Sequence, residues 1–486
     1  MPKAPVAAPS PGRCSASRCR RTPVLLVALL TLALPGIASA KGPTVAAELS
    51  RLQADGSLDA ATSESYKNAY DDARKTLKQL HGFRHAQLRA VIGNVDALAA
   101  RRQFIPSRLK PEFLTLQRNR AWWAAAPIPY AGERKTFPPS QVVWQFYPGQ
   151  GWQIQWLGTF GKANALWMVR TRDADLKRLL DEVLGLATQR AGGIAFEYLF
   201  TFDGGRPPWV SGLAQGTGLS ALARGAVRLK DTKYFDAART ALGIFRTPPP
   251  AGVAVRTAAG TNYLQYSYAP KLTIVNGFTQ SLNGLHDFAT LANDADGRAL
   301  FSAGETHLRS VLPGFDTGAW SLYSKPGAES DLGYHRVLRD FLTGLCDRLK
   351  DDRTRGHLAQ VEAPPSGSTT TVPDPKLYCD TAADFTADLH TKPKLTLTPP
   401  TRPLSAKHDA HVAYTLDKVS TVTITATRAG RLVLSRSARL GRGRHAVSLK
   451  PAQAGPLTLR IAATDLAGNA TTTAATIHVR AAAPAV

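Results

Sequence analysis

The chain has 486 residues, 44% hydrophobic and 20% charged, and a formal net charge of +24. That length predicts two or three domains rather than one core, and the composition excludes a largely disordered chain. The positive charge favours polyanionic partners over basic or neutral ones, although a basic surface without any function weighs about equally.

Arg18, Arg20 and Arg21 precede an apolar run from Pro23 to Ile37 that ends in the small residues Ala38-Ser39-Ala40. This is the pattern of a signal peptide, so residues 1–40 are read as a leader and the mature chain as a secreted or cell-surface protein beginning at Lys41. The run is short of the ~20 apolar residues that a membrane span needs, and no other segment reaches that length. The leader carries five of the positive charges; 24 less 5 leaves +19. Outside a cell the matching polyanions are acidic polysaccharides, teichoic acids and extracellular DNA. No arginine-rich arm or helix-turn-helix pattern supports nucleic acid as the partner.

Residues 41–135 read as a helical region, with Leu77, Leu80, Phe83, Leu88, Val91, Ile92, Val95 and Leu98 falling largely at three- and four-residue steps. A β-hairpin follows, Gln141–Tyr147 and Gly151–Trp156 around the turn Pro148-Gly-Gln-Gly151. Helical spacing then returns in pairs. Phe278, Leu282, Leu285, Phe288 and Leu291 form one stripe, and Leu338, Phe341, Leu342, Leu345 and Leu349 another. Paired helices joined by short polar turns predict an antiparallel array or an α/α toroid over residues 136–360. Cys346 and Cys379, 33 positions apart, are expected to form a disulfide in an oxidising compartment, since a zinc site wants short-spaced ligand pairs; no metal and no cofactor are expected. Residues 361–392 are read as a linker containing Pro364–Pro373. From 393 to 482 the apolar period becomes two, in Val412, Tyr414, Leu416, Val422, Ile424, Ala426, Val447, Leu449, Leu457, Leu459 and Ile461. Short alternating strands predict an immunoglobulin or fibronectin-III-like β-sandwich. The fold class is therefore mainly α, a toroid with a small hairpin region, then a β-sandwich.

No Walker loop, HExxH, GxSxG elbow or clustered set of metal ligands is present. Asp203, Asp316, Glu329 and Asp331 could supply paired carboxylates for glycoside hydrolysis, but they read first as caps and turn residues. What is unusual is the density of Trp, Tyr, Gly and Asn in three segments: 209–224, 263–278 and 315–336.

In order and spacing these segments resemble the C-terminal domain of the D-glucuronyl C5-epimerase family, over roughly residues 202–349. Trp209, Ser211, Gln215, Gly216, Ser220, Leu222 and Arg224 carry its W-x-S-x-x-x-Q-G-x-x-x-S-x-L-x-R entry. Tyr266, Pro270, Asn276, Gly277 and Phe278 carry its tyrosine, proline and N-G-F; Tyr323 follows its D-T-G, and Tyr334-His335 its Y-H. The resemblance implies removal of the C5 hydrogen of glucuronate within a polymer and its return on the opposite face, giving iduronate. Two proton-carrying groups must then flank the ring. It assigns Tyr266, Tyr323 and Tyr334 as acid/base candidates without choosing faces. Asn276 is the first donor to the carboxylate, with His335, Arg336, Gln265, Gln215 and Trp209 as further substrate-binding candidates. The implied partner is an acidic polysaccharide containing glucuronic acid; oligomeric state is open, a homodimer included. Tyr263 and Tyr268 have no clear counterpart and read as core or stacking residues.

The sequence departs from the family at Gln265, which stands where the family has glutamate before its first tyrosine. Glutamine keeps shape and hydrogen bonding but exchanges no proton near neutral pH, so a required base there would leave the protein slow or inactive. Lys325 and Pro326 also replace the usual polar residues after the second tyrosine. Two rivals stand beside the epimerase: a uronic-acid polysaccharide lyase on the same toroid, and a non-catalytic binder of acidic glycan.

Overall fold

The computed structural model describes residues 42–355 and 373–482. The expected leader and nearly all of Pro364–Pro373 lie outside the described residues. The chain divides into two compact units, one holding residues up to Glu133 with Phe146–Trp152, the other Arg134–Gln145 and everything from Gln153 onward.

In the first unit four helices run α1 Val45–Ala54, α2 Ala60–Gln79, α3 Gly82–Ala100 and α4 Pro106–Ala125. Thr44 and Asp59 cap α1 and α2 by accepting the N–H groups of Ala47 and Thr62, satisfying donors that an open helix end leaves unpaired. The apolar spacing that runs on from Leu77 to Leu98 is split: Leu80 and His81 leave helical geometry and Gly82 takes a φ of +54°. Leu88, Val91, Val95 and Leu98 remain core, whereas Phe83 is 43% exposed. The hairpin is present but shorter than expected, Trp144–Tyr147 and Gly151–Ile154. Asn119 of α4 grips its second strand, accepting the N–H of Trp152 at 2.8 Å and donating to its carbonyl at 2.7 Å. Two cavities in this unit, one lined by Glu64, Asn68 and Arg120 and one by Thr44, Tyr70 and Arg74, contain none of the expected site residues.

In the second unit the helices are α5 Trp156–Trp167, α6 Asp173–Leu184, α7 Gly212–Leu229, α8 Lys233–Ala241, the short α9 Gly243–Arg246, α10 Val275–Leu291, α11 Ala295–Val311, α12 Leu332–Arg355 and α13 Lys376–Asp388. Helix α7 packs on α5, α6, α8 and α10, and α10 packs in turn on α7, α11 and α12. The approach of α7 to α10 is set by glycine. A Cβ on Gly284 would sit 1.8 Å from the carbonyl oxygen of Gly216, and one on Gly216 would meet Ser281 at 2.6 Å. The glycines of 216–218, which carry no phosphate-loop pattern, therefore serve helix packing. The two apolar stripes are core, except that Phe341 is half-buried and Leu291 is 41% exposed where α10 ends. The expected disulfide forms, Cys346 of α12 to Cys379 of α13. Residues 376–388, read from the sequence as part of a linker, are instead helix α13, whose Tyr378 and Phe385 are fully buried. The mixed composition around Lys376 hid that apolar face.

The C-terminal region is β-rich, as its period-two pattern predicts. Leu395–Thr398, Ala410–Leu416 and Gly443–Leu449 form one sheet; Leu404–Ser405, Ala470–Arg480, Gly455–Asp465, Ser420–Arg428 and Arg431–Leu440 form the other, in that spatial order. Pairing is antiparallel apart from Leu404–Ser405 on Ala470–Arg480. Val412, Tyr414 and Val447 of the first sheet and Val422, Leu459 and Ile461 of the second share one buried core.

Candidate functional site

The three motif segments, separated by tens of residues, meet through main-chain hydrogen bonds. Gly212 N–H donates to Leu264 O at 3.0 Å and Ser267 N–H to Val210 O at 3.0 Å, fastening the start of α7 to the tyrosine-rich segment. Thr273–Ile274 pairs antiparallel with Ser324–Lys325, and Val275 N–H reaches Tyr323 O, so the entry to α10 lies against the loop that carries Tyr323. Tyr334 follows on the first turn of α12, where its N–H is capped by the Asp331 carboxylate at 2.8 Å.

Tyr266, Tyr323, Tyr334 and Gln265 are thereby brought together. The rings of Tyr323 and Tyr334 are 4.5 Å apart. Gln265 is buried, and its Nε2 donates to the Tyr266 hydroxyl at 2.9 Å while its Oε1 has no partner. A Cβ on Gly277 would lie 2.4 Å from that Oε1, so the glycine of N-G-F makes room for the carboxamide. Burial pushes the Tyr323 phenol well above its ordinary pKa, the neighbouring phenols Tyr266 and Tyr334 add to this, and the Gln265 amide opposes it. Burial raises Tyr334 as well, with the hydroxyl of Tyr323 opposing. Both phenols are therefore held neutral, as proton donors.

Asn276 is 3% exposed at the start of α10; its Oδ1 accepts the N–H of Gly277 at 2.8 Å, and its Nδ2 makes no hydrogen bond among the described residues. It is both a local cap and an available donor. Trp209 is 4% exposed and lies inside an aromatic cluster: it stacks on Tyr198 at 4.3 Å, meets Tyr266 edge-on at 5.8 Å and donates its indole N–H to Phe200 O. Tyr268 stacks on Tyr266 at 5.3 Å, whereas Tyr263 is core, its hydroxyl donating to Leu300 O.

Three expected substrate-binding residues are placed elsewhere. Gln215 is buried and spends its amide on the backbone of Phe196, donating to O at 2.9 Å and accepting from N–H at 3.3 Å. His335 is fully buried, stacked on Trp320 at 3.8 Å. Its Nδ1 lies 2.8 Å from the Ser321 hydroxyl and its Nε2 2.9 Å from Phe385 O, so neither nitrogen is left for a substrate. Burial lowers its pKa to about 4 and keeps it neutral. Arg336 is exposed on the next position of α12. Helical geometry explains both, since side chains at 334, 335 and 336 point about 100° apart and only one can face the phenols. The carboxylates behave as caps and clamps: Asp316 accepts the N–H of Gly318, Asp331 that of Tyr334, and Glu329 those of Val419 and Arg442.

One group escaped the sequence reading. Asp287, the sole acid on α10, accepts from Ser220 at 2.6 Å and Arg224 at 2.9 Å on α7, and from Arg348 on α12 at 2.7 and 2.8 Å. Burial alone would raise its carboxyl, but Arg348, Arg224 and Ser220 outweigh it and hold the pKa below the ordinary value. The motif residues Ser220 and Arg224 are thus there to join three helices. The arginine on a buried helix was the available signal, because such a charge demands a partner.

Half-buried phenols, a buried amide and an unspent asparagine donor, carried on packed helix pairs, make a site equipped for proton exchange; no metal-binding group of His, Cys, Asp and Glu occurs among the described residues. Residues 190–355 match the family described as the D-glucuronyl C5-epimerase C-terminus. A D-glucuronyl C5-epimerase of Caenorhabditis elegans is 35% identical over 130 residues, covering 24% of this chain and 21% of that protein. An uncharacterized protein of Methanocaldococcus jannaschii is 24% identical over 149 residues, covering 30% of this chain and 48% of that protein. The chain thus spans less than half the length of either relative.

Proposed function

We propose that the protein is an exported enzyme that epimerises D-glucuronate to L-iduronate at C5 within an acidic polysaccharide. The observation that carries this reading is the convergence of Tyr266 and Tyr323 on Gln265, with Tyr334 against Tyr323, inside the family-matched segment. Tyr266, whose oxygen receives an N–H from Gln265, acts as phenolate and takes the C5 proton. The electron pair passes onto the substrate carboxylate, where the Asn276 amide donates. Tyr323, held neutral by burial, then delivers a proton from the opposite face, and the two phenols exchange roles in the reverse direction. In this reading the paired helices form an α/α toroid and the C-terminal sheets an immunoglobulin-like sandwich. The disulfide fits an oxidising compartment, as export requires.

Gln265 also supports a second reading, a non-catalytic glycan binder, because the buried position offers no exchangeable carboxylate. One experiment separates them: incubation with heparosan in heavy water, followed by NMR at C5. Deuterium with iduronate and unchanged chain length is the expected result. Unsaturated chain ends would identify a lyase instead, and binding without exchange would identify a binder.

A further inference from the structure

We infer that the C-terminal β region bears a second, arginine-lined binding surface for the acidic polysaccharide, continuous with the hairpin that carries Tyr323; this inference rests on the glycan reading above. Residues 428–444 contain six arginines, no acid and no aromatic residue. Five of them, Arg431, Arg436, Arg439, Arg442 and Arg444, are exposed, and none makes an ion pair among the described residues. They lie on Arg431–Leu440, an edge strand paired only with Ser420–Arg428, and on the turn and strand that follow it. From Arg431 to Arg439 an extended strand spans ~26 Å, room for several sugar units; Arg431 and Arg436, paired with Arg428 and Ile424, stand on one face and Arg439, paired with Thr421, on the other, so the arginines flank the edge from both sides.

Its link to the tyrosine cluster is direct. Glu329 pairs across the hairpin with Leu322, the residue before Tyr323, and its two carboxylate oxygens accept the main-chain N–H groups of Val419 at 2.8 Å and Arg442 at 2.7 Å. Buried Trp320, Leu389 and Val419 close the same junction. The arginine turn therefore begins where the hairpin of Tyr323 ends. A polymer leaving the phenols along this side meets unpaired guanidinium groups, which suit carboxylate in a two-pronged geometry.

Other occupants fit less well. A second copy adding its own edge strand would bring two arginine rows together, and like charges on an edge oppose such pairing. Single-stranded nucleic acid calls for aromatic stacking platforms, which the stretch lacks.

The test uses the full chain, with long heparosan and a short heparosan oligosaccharide as probes. Arg436→Glu/Arg439→Glu and Arg442→Glu/Arg444→Glu are compared with wild type and with Lys350→Glu, an exposed change on α12. We expect each pair to weaken binding of long heparosan about tenfold or more and to lower the slope of log affinity against log salt by about 2. Binding of the short oligosaccharide and its C5 exchange stay unchanged. Equal affinity of wild type and both pairs, equal binding of carboxyl-reduced heparosan, or tighter binding of single-stranded DNA than of heparosan would overturn the inference. Weakened polymer binding with no C5 exchange in any form would uphold the arginine surface and refute the epimerase reading instead.

Discussion

Replacing Asp287 by asparagine tests whether the charge network, rather than apolar packing alone, holds α7, α10 and α12 together. The substitution keeps size and removes the charge that four hydrogen bonds address, leaving Arg224 and Arg348 to face each other and an amide donor. Breaking a fully buried pair costs about 3–5 kcal/mol. The side chain of Asp287 is 12% exposed, and those of Arg224 and Arg348 are 24% and 20% exposed, so the low end, about 3 kcal/mol, is expected. In a unit of more than 300 residues that corresponds to a Tm drop of roughly 4–5 °C. Asp296→Asn is the internal control: it breaks the pair with Arg246, whose side chains are 46% and 70% exposed, and should cost less than about 1 kcal/mol. Urea unfolding followed by circular dichroism reads both. Because the folded carboxyl titrates below its ordinary value, its stabilisation is full above pH ~4 and lost only as pH falls through the depressed pKa. The difference between wild type and Asp287→Asn should therefore be flat from pH 8 to 5. A loss no larger than that of Asp296→Asn, or a difference already gone at pH 5, would refute the reasoning.

His335, with its folded pKa lowered to about 4 from 6.5, adds nothing to stability above pH 6.5. As pH falls from there towards 4 the unfolded chain gains a proton that the folded chain refuses, removing up to about 3 kcal/mol. Asp388, raised to about 6 mainly by burial, works in the opposite sense: its penalty is present above pH 6 and relieved as it protonates. Asp388→Asn should therefore steepen the acid loss, read as urea midpoint against pH, and an unchanged profile would reject the assignment. Glu329→Ala should loosen the Tyr323 hairpin, seen as faster amide exchange at Tyr323 and Val419, whereas Glu329→Gln, which keeps one acceptor oxygen, should restore part of the protection. Reducing Cys346–Cys379, which are 33 positions apart, should cost about 3–4 kcal/mol by the loop-entropy estimate, measured as a urea midpoint shift with and without reductant. Tyr323→Phe should abolish iduronate formation while leaving heparosan affinity within about twofold; retained iduronate would remove Tyr323 from the reaction.

The sequence determined the parts that depend on local rules. Period-three-and-four stripes placed α10 and α12, period-two alternation placed the C-terminal strands, and the pair of cysteines predicted the disulfide of Cys346 with Cys379. It also pointed to the tyrosines, because phenols at family spacing are visible in one dimension. Only tertiary structure decided which neighbours share a direction. His335 follows Tyr334 by one residue, yet it turns into the core against Trp320, while Tyr334 meets Tyr323. Gln215 looked like a groove residue until the backbone of Phe196 took both ends of its amide. Asp287 gave no motif of its own, since a carboxylate acquires a role only when Ser220, Arg224 and Arg348 arrive from other helices. Glu329 likewise became a clamp because two N–H groups some 90 and 113 positions away converge on it. Periodicity reports which face a residue occupies; hydrogen bonds between distant segments depend on where the chain returns, and no local pattern encodes that.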